Sequence, residues 1–333
     1  MNLNDAQKIM LSPESAPSAS SANPKLRVQP EQLFPRTPIL TTGDVAVKRE
    51  EIRRYFHSTL DRYEQLFETL QGEEAYLKKP ISLRHPLIFY LGHTSTFFTN
   101  KLVLAGLMKE RINPRMESMF AVGVDEMSWD DLNTTHYDWP SVDEVRAYRR
   151  TVRRIVDKLI TDTPLALPID WDNPWWTILM GIEHERIHLE TSSVLIRQHA
   201  LEYVRPHSAW EPYGKSGPAP ENRLIGLAEG VVQLGKMKTD PVYGWDNEYG
   251  KHMAEVAAFQ AAKYLVSNGE FLAFVQACGY DDDRFWEEEG HAWQCHTRAE
   301  HPTFWVRHGS DWYLRLMTAE IPMPWDWPVE VNY

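Results

Sequence analysis

His184 and His188 stand four residues apart in GIEHERIHLETSSVLIRQ, residues 181 to 198. On a helix of about 3.6 residues per turn, positions i and i+4 share one face, so two imidazoles placed this way bind one metal ion without distorting the backbone. A catalytic iron or zinc ordinarily takes three protein ligands and keeps positions open for water or substrate. His93, inside LGHTSTFF, is the best third histidine. A lone histidine on an apolar helix is more often a hydrogen-bonded core residue. The three together, on two helices of one bundle, are what carry the metal reading.

A second chemistry competes for the same residues. His184, Glu185 and His188 spell H-E-x-x-H, in which the glutamate serves as general base of a zinc peptidase. The longer form of that motif needs Gly at position 191 and His at 194, where this chain has Thr191 and Val194. The form with a glutamate on a later helix has only Glu202 and Glu211 to offer, where the helical pattern is ending.

The elements that must position these residues are legible as amphipathic patterns. From Asp44, the residues Ile52, Tyr55, Phe56, Leu60, Tyr63, Leu66, Phe67 and Leu70 recur at helical spacing. A second, strongly apolar helix follows Arg84 and contains His93. Ser141 and Glu144 form a capping box for a third helix, whose apolar face is Val145, Tyr148, Val152, Ile155, Val156 and Leu159. Asn173 caps the fourth, with Pro174 in its first turn, and this helix runs to about His199. Four such helices predict an up-down bundle with the second and fourth parallel, and with His93 at a depth comparable to the pair. Between the second and third helices, Met108 to Pro140 reads as a long excursion, whose Met, Phe and Trp content favours an ordered, functional loop.

After Pro206 the texture turns to Gly, Pro and short β-type runs (EGVVQLG, HMAEVAAF, TFWVRHG, DWYLRLM), with a second capping box at Ser267 and Glu270. The expected organisation is a disordered tail over 1–35, a helical bundle over 36–205 and a mixed α+β domain over 206–333. A net charge of -12 argues against a nucleic-acid partner. Two cysteines, Cys278 and Cys295, build no disulfide framework, and no apolar run approaches the roughly 18 to 20 residues that span a bilayer. The sequence reads as a cytoplasmic protein without a membrane segment.

Three stretches together resemble the non-haem iron sulfoxide synthases, which join a DinB-like four-helix bundle to a formylglycine-generating-enzyme-like domain. LGHTSTFF is similar to the motif supplying their first iron ligand, here His93. H-E-R-I-H-L-E, residues 184 to 190, is similar to the H-x3-H-x-E motif supplying the other two, here His184 and His188. YGWDNEYGKHMAEVAAF, with VSNGEFLAFVQACGY and HPTFWV, resembles the opening of the second, C-type-lectin-like α+β domain. Within the family, INPRMESMFAVGVDEMSWDDLN and YGWDNEYG look most like the ovothiol-pathway branch, 5-histidylcysteine sulfoxide synthases acting on cysteine, histidine and O2. The ergothioneine branch, acting on trimethylhistidine, is the alternative, and a metal-binding module without catalysis is a third.

The resemblance implies Fe(II) held by His93, His184 and His188. It casts Glu190 as an acid orienting a ligand or substrate, and Arg115 as a clamp for a substrate carboxylate. The chain stops at WPVEVNY, where the resembled second domain is about half complete, without the family's active-site tyrosine or a methyltransferase domain. It therefore reads as a fragment or a truncated form, with all three iron ligands inside the part present.

Overall fold

The computed structural model describes residues 35–121 and 137–331. The expected disordered tail, and the centre of the long excursion, lie outside the described residues. Four long helices form the first part: α1 (Val45–Phe67), α3 (Leu87–Leu104), α5 (Val142–Asp162) and α6 (Pro174–Arg197). Two short helices, α2 (Glu74–Leu77) and α4 (Pro114–Met119), lie in the connections.

Local chemistry sets where the long helices begin. The Asp44 carboxylate accepts from the amides of Ala46 and Val47, covering donors that the first helical turn leaves unpaired. Ser141 and Glu144 exchange both bonds of a capping box, and Asn173 caps α6 ahead of Pro174. Every residue of the expected α1 stripe is buried. On α5 the buried stripe is Val145, Tyr148, Arg149, Val152, Val156 and Ile160, so it holds a cation that the apolar pattern passed over, while Ile155 and Leu159 are half-buried. The excursion after α3 contains α4, capped by Asn113 with Pro114 at its start.

The bundle is not up-down-up-down. Tyr55, Thr59 and Tyr63 of α1 meet Glu183, Arg186 and Ser192 of α6, so these two helices run parallel. Arg53, Asp61 and Glu64 of α1 pair with Asp157, Arg153 and Arg149 of α5, so α5 is antiparallel to α1. Phe97 and His93 of α3 meet His184 and His188 of α6 in reverse order, so α3 and α6 are antiparallel. The order is up-down-down-up, and the expectation that the second and fourth helices run parallel is corrected. The physical reason is the long connection between α3 and α5, which lets α5 start again at the end where α3 started. Short loops would have forced antiparallel neighbours.

Among the described residues the later part holds seven short strands and two α-helices. β1 (Leu224–Leu227) pairs antiparallel with β4 (Phe259–Ala262), and β2 (Gly230–Leu234) with β3 (His252–Val256). β5 (Trp305–His308), β6 (Asp311–Arg315) and β7 (Glu320–Pro322) form a three-stranded antiparallel sheet. Helices α7 (Asn268–Gln276) and α8 (Glu288–Thr297) lie between β4 and β5, and α7 carries the expected Ser267–Glu270 capping box. Trp305, Leu314 and Met323 make a small core, while β1 and β2 are exposed along their whole length. The sheet part grips α6 near its end: Arg197 donates to the Arg315 carbonyl at 2.8 Å, pairs with Glu330 and lies 3.7 Å from the Phe304 ring centroid. No helix among the described residues is long and apolar enough to cross a membrane.

α3 and α6 approach closely because Gly181 has no side chain. A β-carbon there would meet the Phe98 ring at 2.1 Å, and Phe98 is buried. Gly181→Ala should therefore lower stability by about 1–3 kcal/mol despite alanine's better helix propensity. Urea denaturation checks this, and an unchanged or raised midpoint would show that Phe98 has room to move.

Candidate metal centre

His93 lies in the middle of α3, in a run buried from Leu87 to Thr99. His184 and His188 lie in the middle of α6, one turn apart. Mid-helix residues come level whichever way the two helices run, which is why the three meet despite the corrected topology. Their ligand-capable nitrogens all lie within 4.8 Å of one another. The ring centroids are 5.0 Å apart for His93 and His184, 4.7 Å for His93 and His188, and 4.5 Å for His184 and His188.

The surroundings fix how each ring presents itself. His93 donates from Nδ1 to the Phe120 carbonyl at 2.6 Å, which leaves Nε2 with its lone pair. His188 Nδ1 lies 3.4 Å from Thr191 Oγ1, and Tyr90 faces the ring at 6.1 Å. Phe97 stacks on His184, 3.7 Å between centroids and 7° from parallel. Nδ1 of His184 is buried without a hydrogen-bond partner among the described residues.

Burial holds all three rings neutral. It lowers His93 against a small opposing effect of the Phe120 carbonyl. It pushes His188 down to about 3, with His93 contributing. It lowers His184 furthest, helped by His188, His93 and the positive charge of Lys101. Neutral imidazole is the ligand form, and three lone pairs brought this close without an acid among them repel one another unless a cation sits between them. The donor set fits a divalent metal such as Fe(II) or Zn(II) and leaves coordination positions for other molecules.

Glu185 faces elsewhere. It is wholly buried, and its Oε1 accepts from Arg149 Nη2 at 2.7 Å. A carboxylate held in an ion pair inside the core has no route to a water on the metal, so the peptidase role of H-E-x-x-H finds no support in this geometry. Glu190 is exposed, and its carboxylate makes no hydrogen bond among the described residues. Arg115 is exposed at the start of α4, and its guanidinium is engaged with Asp138 at 2.6 Å. The structure thus brings together His93, His184 and His188, and does not bring Glu190 or Arg115 into contact with them.

Sequence reasoning missed the residues that hold the triad in place. Arg149 stands at the i+4 position from Val145 and i-3 from Val152, so a charge inside an apolar stripe was the available signal. It binds three helices at once: Glu64 of α1 at 2.5 Å, the Leu91 carbonyl and the hydroxyls of Thr94 and Ser95 on α3, and Glu185 of α6. Burial alone would loosen its proton, but Glu185 and Glu64 more than reverse this, so the guanidinium stays charged. Phe97, four residues past His93 on the same face, was legible by the same spacing.

Residues 55–192 match the DinB superfamily, so the helical part that carries the triad is a DinB-like domain. The chain is 26% identical over 272 residues to hercynine oxygenase from Mycolicibacterium thermoresistibile, covering 81% of this chain and 58% of that protein. It is 28% identical over 242 residues to ergothioneine biosynthesis protein 1 of Neurospora crassa, covering 65% of this chain and 27% of that protein. Hercynine oxygenase of Mycobacterium tuberculosis is 32% identical over 191 residues, 56% of this chain and 42% of that protein. The chain therefore spans between 27% and 58% of the length of these relatives.

Two expected outcomes follow from this geometry. Arg149→Met should cost about 3–5 kcal/mol in urea denaturation, because Glu185 is left buried with no cation; a loss under 1 kcal/mol would show that the pair is dispensable. The metal-free protein should also lose stability as pH falls below the ordinary histidine value of 6.5. Unfolded histidines take up protons there, whereas buried His188 does not until about pH 3. The slope is up to about 1.4 kcal/mol per pH unit for each histidine kept neutral. Denaturation midpoints in chelator between pH 7 and 5 measure it, and His188→Gln should make the slope shallower.

Proposed function

We propose, from the DinB-like triad and the likeness to hercynine oxygenases, that this chain carries the iron site of an ergothioneine-type sulfoxide synthase. The observation that carries the reading is a buried group of three neutral histidines with no carboxylate beside them among the described residues. Ferrous iron would be held by His93, His184 and His188. When bound, it supplies the redox chemistry that lets O2 react with a thiolate.

The reaction joins the sulfur of cysteine, or of a cysteine-containing thiol, to an imidazole carbon. One S–H and one C–H bond are lost, a C–S bond forms, and the sulfur becomes a sulfoxide. O2 takes up all four electrons: one oxygen atom enters the sulfoxide and the other leaves as water, so no external reductant is needed. The chain's own residues position and shield. Phe120 fixes the tautomer of His93, Phe97 holds the plane of His184, and the buried walls of α3 and α6 limit water around the sulfur.

The relatives favour trimethylhistidine as the acceptor over the histidine of the ovothiol-type reading. No role for Glu190 or Arg115 is part of this proposal. The division into a bundle over 36–205 and a second α+β domain of formylglycine-generating-enzyme type over 206–333 belongs to the same proposal.

Anaerobic Fe(II) titration of the protein and of His188→Ala, then O2 uptake with cysteine plus either acceptor, tests the reading. Removal of one ligand in three should weaken iron binding by more than about 100-fold. Uptake should need both organic substrates and run faster with trimethylhistidine. Faster uptake with histidine would assign the ovothiol branch instead. Tight, His188-dependent iron binding with no uptake from either pair would reduce this chain to a metal-binding module.

A further inference from the structure

Among the described residues the triad is short of negative charge. None of its histidines has a carboxylate partner there: His93 is bonded to a carbonyl and His188 lies beside a hydroxyl. The two acids nearest in sequence are engaged elsewhere. Glu185 is paired with Arg149, and Glu183 accepts from Tyr55 at 2.6 Å. A divalent ion held here therefore brings two positive charges into a buried site to which the described residues bring no free negative charge.

Lys101 adds a third. His93, Phe97 and Lys101 are spaced i, i+4 and i+8, so they form one stripe along α3. The Lys101 ammonium lies 5.3 Å from the centroid of the Phe97 ring, and the other partner of that ring is His184. Among the described residues Lys101 makes no ion pair. His93, Phe97 and Lys101 line one side of a cavity of about 190 Å³, which Thr96, Asn100, Leu104 and Ala121 complete. This small cavity has His93 at one end and, at the other, a cation without an ion-pair partner among the described residues.

Charge at a partly buried cavity is costly until it is matched. A ligand with two negative groups a few bonds apart matches this one: a thiolate toward the histidines and a carboxylate toward Lys101. A neutral thiol, or a carboxylate alone, satisfies only one end. We propose that Lys101 is the carboxylate anchor of the site, binding the acid group of a small thiol ligand whose sulfur faces His93, His184 and His188. This role was expected of Arg115, whose guanidinium is instead paired with Asp138. The inference rests on the three-histidine ion site proposed above but does not require the oxygenase reaction.

The test uses Co(II)-loaded protein and follows the thiolate-to-metal absorption while titrating 3-mercaptopropionate or its uncharged amide. The wild type should bind the acid roughly 10- to 100-fold more tightly than the amide, the usual worth of one charge-assisted hydrogen bond. Lys101→Met should bring the acid down to the level of the amide, Lys101→Arg should keep most of the preference, and neither variant should weaken Co(II) binding. A wild type that does not distinguish acid from amide overturns the proposal, as does a preference that survives Lys101→Met. Lys101-dependent binding in a protein that takes up no O2 with iron would uphold the anchor and sink the synthase reading. O2 uptake with a KM for cysteine unchanged by Lys101→Met would do the reverse.

Discussion

The Arg149 guanidinium is 3% exposed, and the bundle is assembled around it. It holds a carboxylate on α1, a carbonyl and two hydroxyls on α3, and a carboxylate on α6, while its flat face lies 4.9 Å from the Tyr63 ring. Taking a cation and an anion out of water costs several kcal/mol for each, and only well-formed hydrogen bonds offset that. Apolar packing tolerates small sliding between helices, whereas these bonds lose their geometry within a fraction of an ångström. The ion pair therefore sets the register of α3 against α6, and register is what brings one histidine of α3 level with two of α6.

That constraint shapes the chemistry of the site. Because Arg149 holds Glu185, the motif H-E-x-x-H here separates into two histidines that face the triad and an acid that serves the core. The triad is left with neutral nitrogens, and among the described residues no acid faces it. Phe97 links the two ends of the cavity, with the imidazole of His184 against its ring and the ammonium of Lys101 nearby. The same ring thus touches both a histidine of the triad and the cation proposed as the anchor.

Much of this was legible in the sequence. Ser141, Asn173 and the apolar spacing from Ile52 to Leu70 locate the long helices, because caps and period are local properties. The histidines were legible as a pair and a third for the same reason. Helix direction was not, since it depends on a connection of more than thirty residues whose path no local pattern encodes. Arg149 was passed over because reading for apolar residues discards the one charge that matters in the stripe. In the later half, β2, β3, β5 and β6 fall within the expected runs. β1, β4, β7 and α8 went unnoticed, being short and, for β1 and most of β4, exposed on both faces, so their side chains carry no alternation. Tyr243 joins the core of the bundle from the other half of the chain, and nothing in its sequence context announces that.

The grip of the sheet on the end of α6 has a mechanical consequence. Arg197 lies nine residues beyond His188, about 13 Å along a stiff helix. The β5–β7 sheet and the two-histidine side of the triad therefore hang on one rod, while the Arg149–Glu185 pair holds that rod against α3, so α6 is pinned at its middle and at its end.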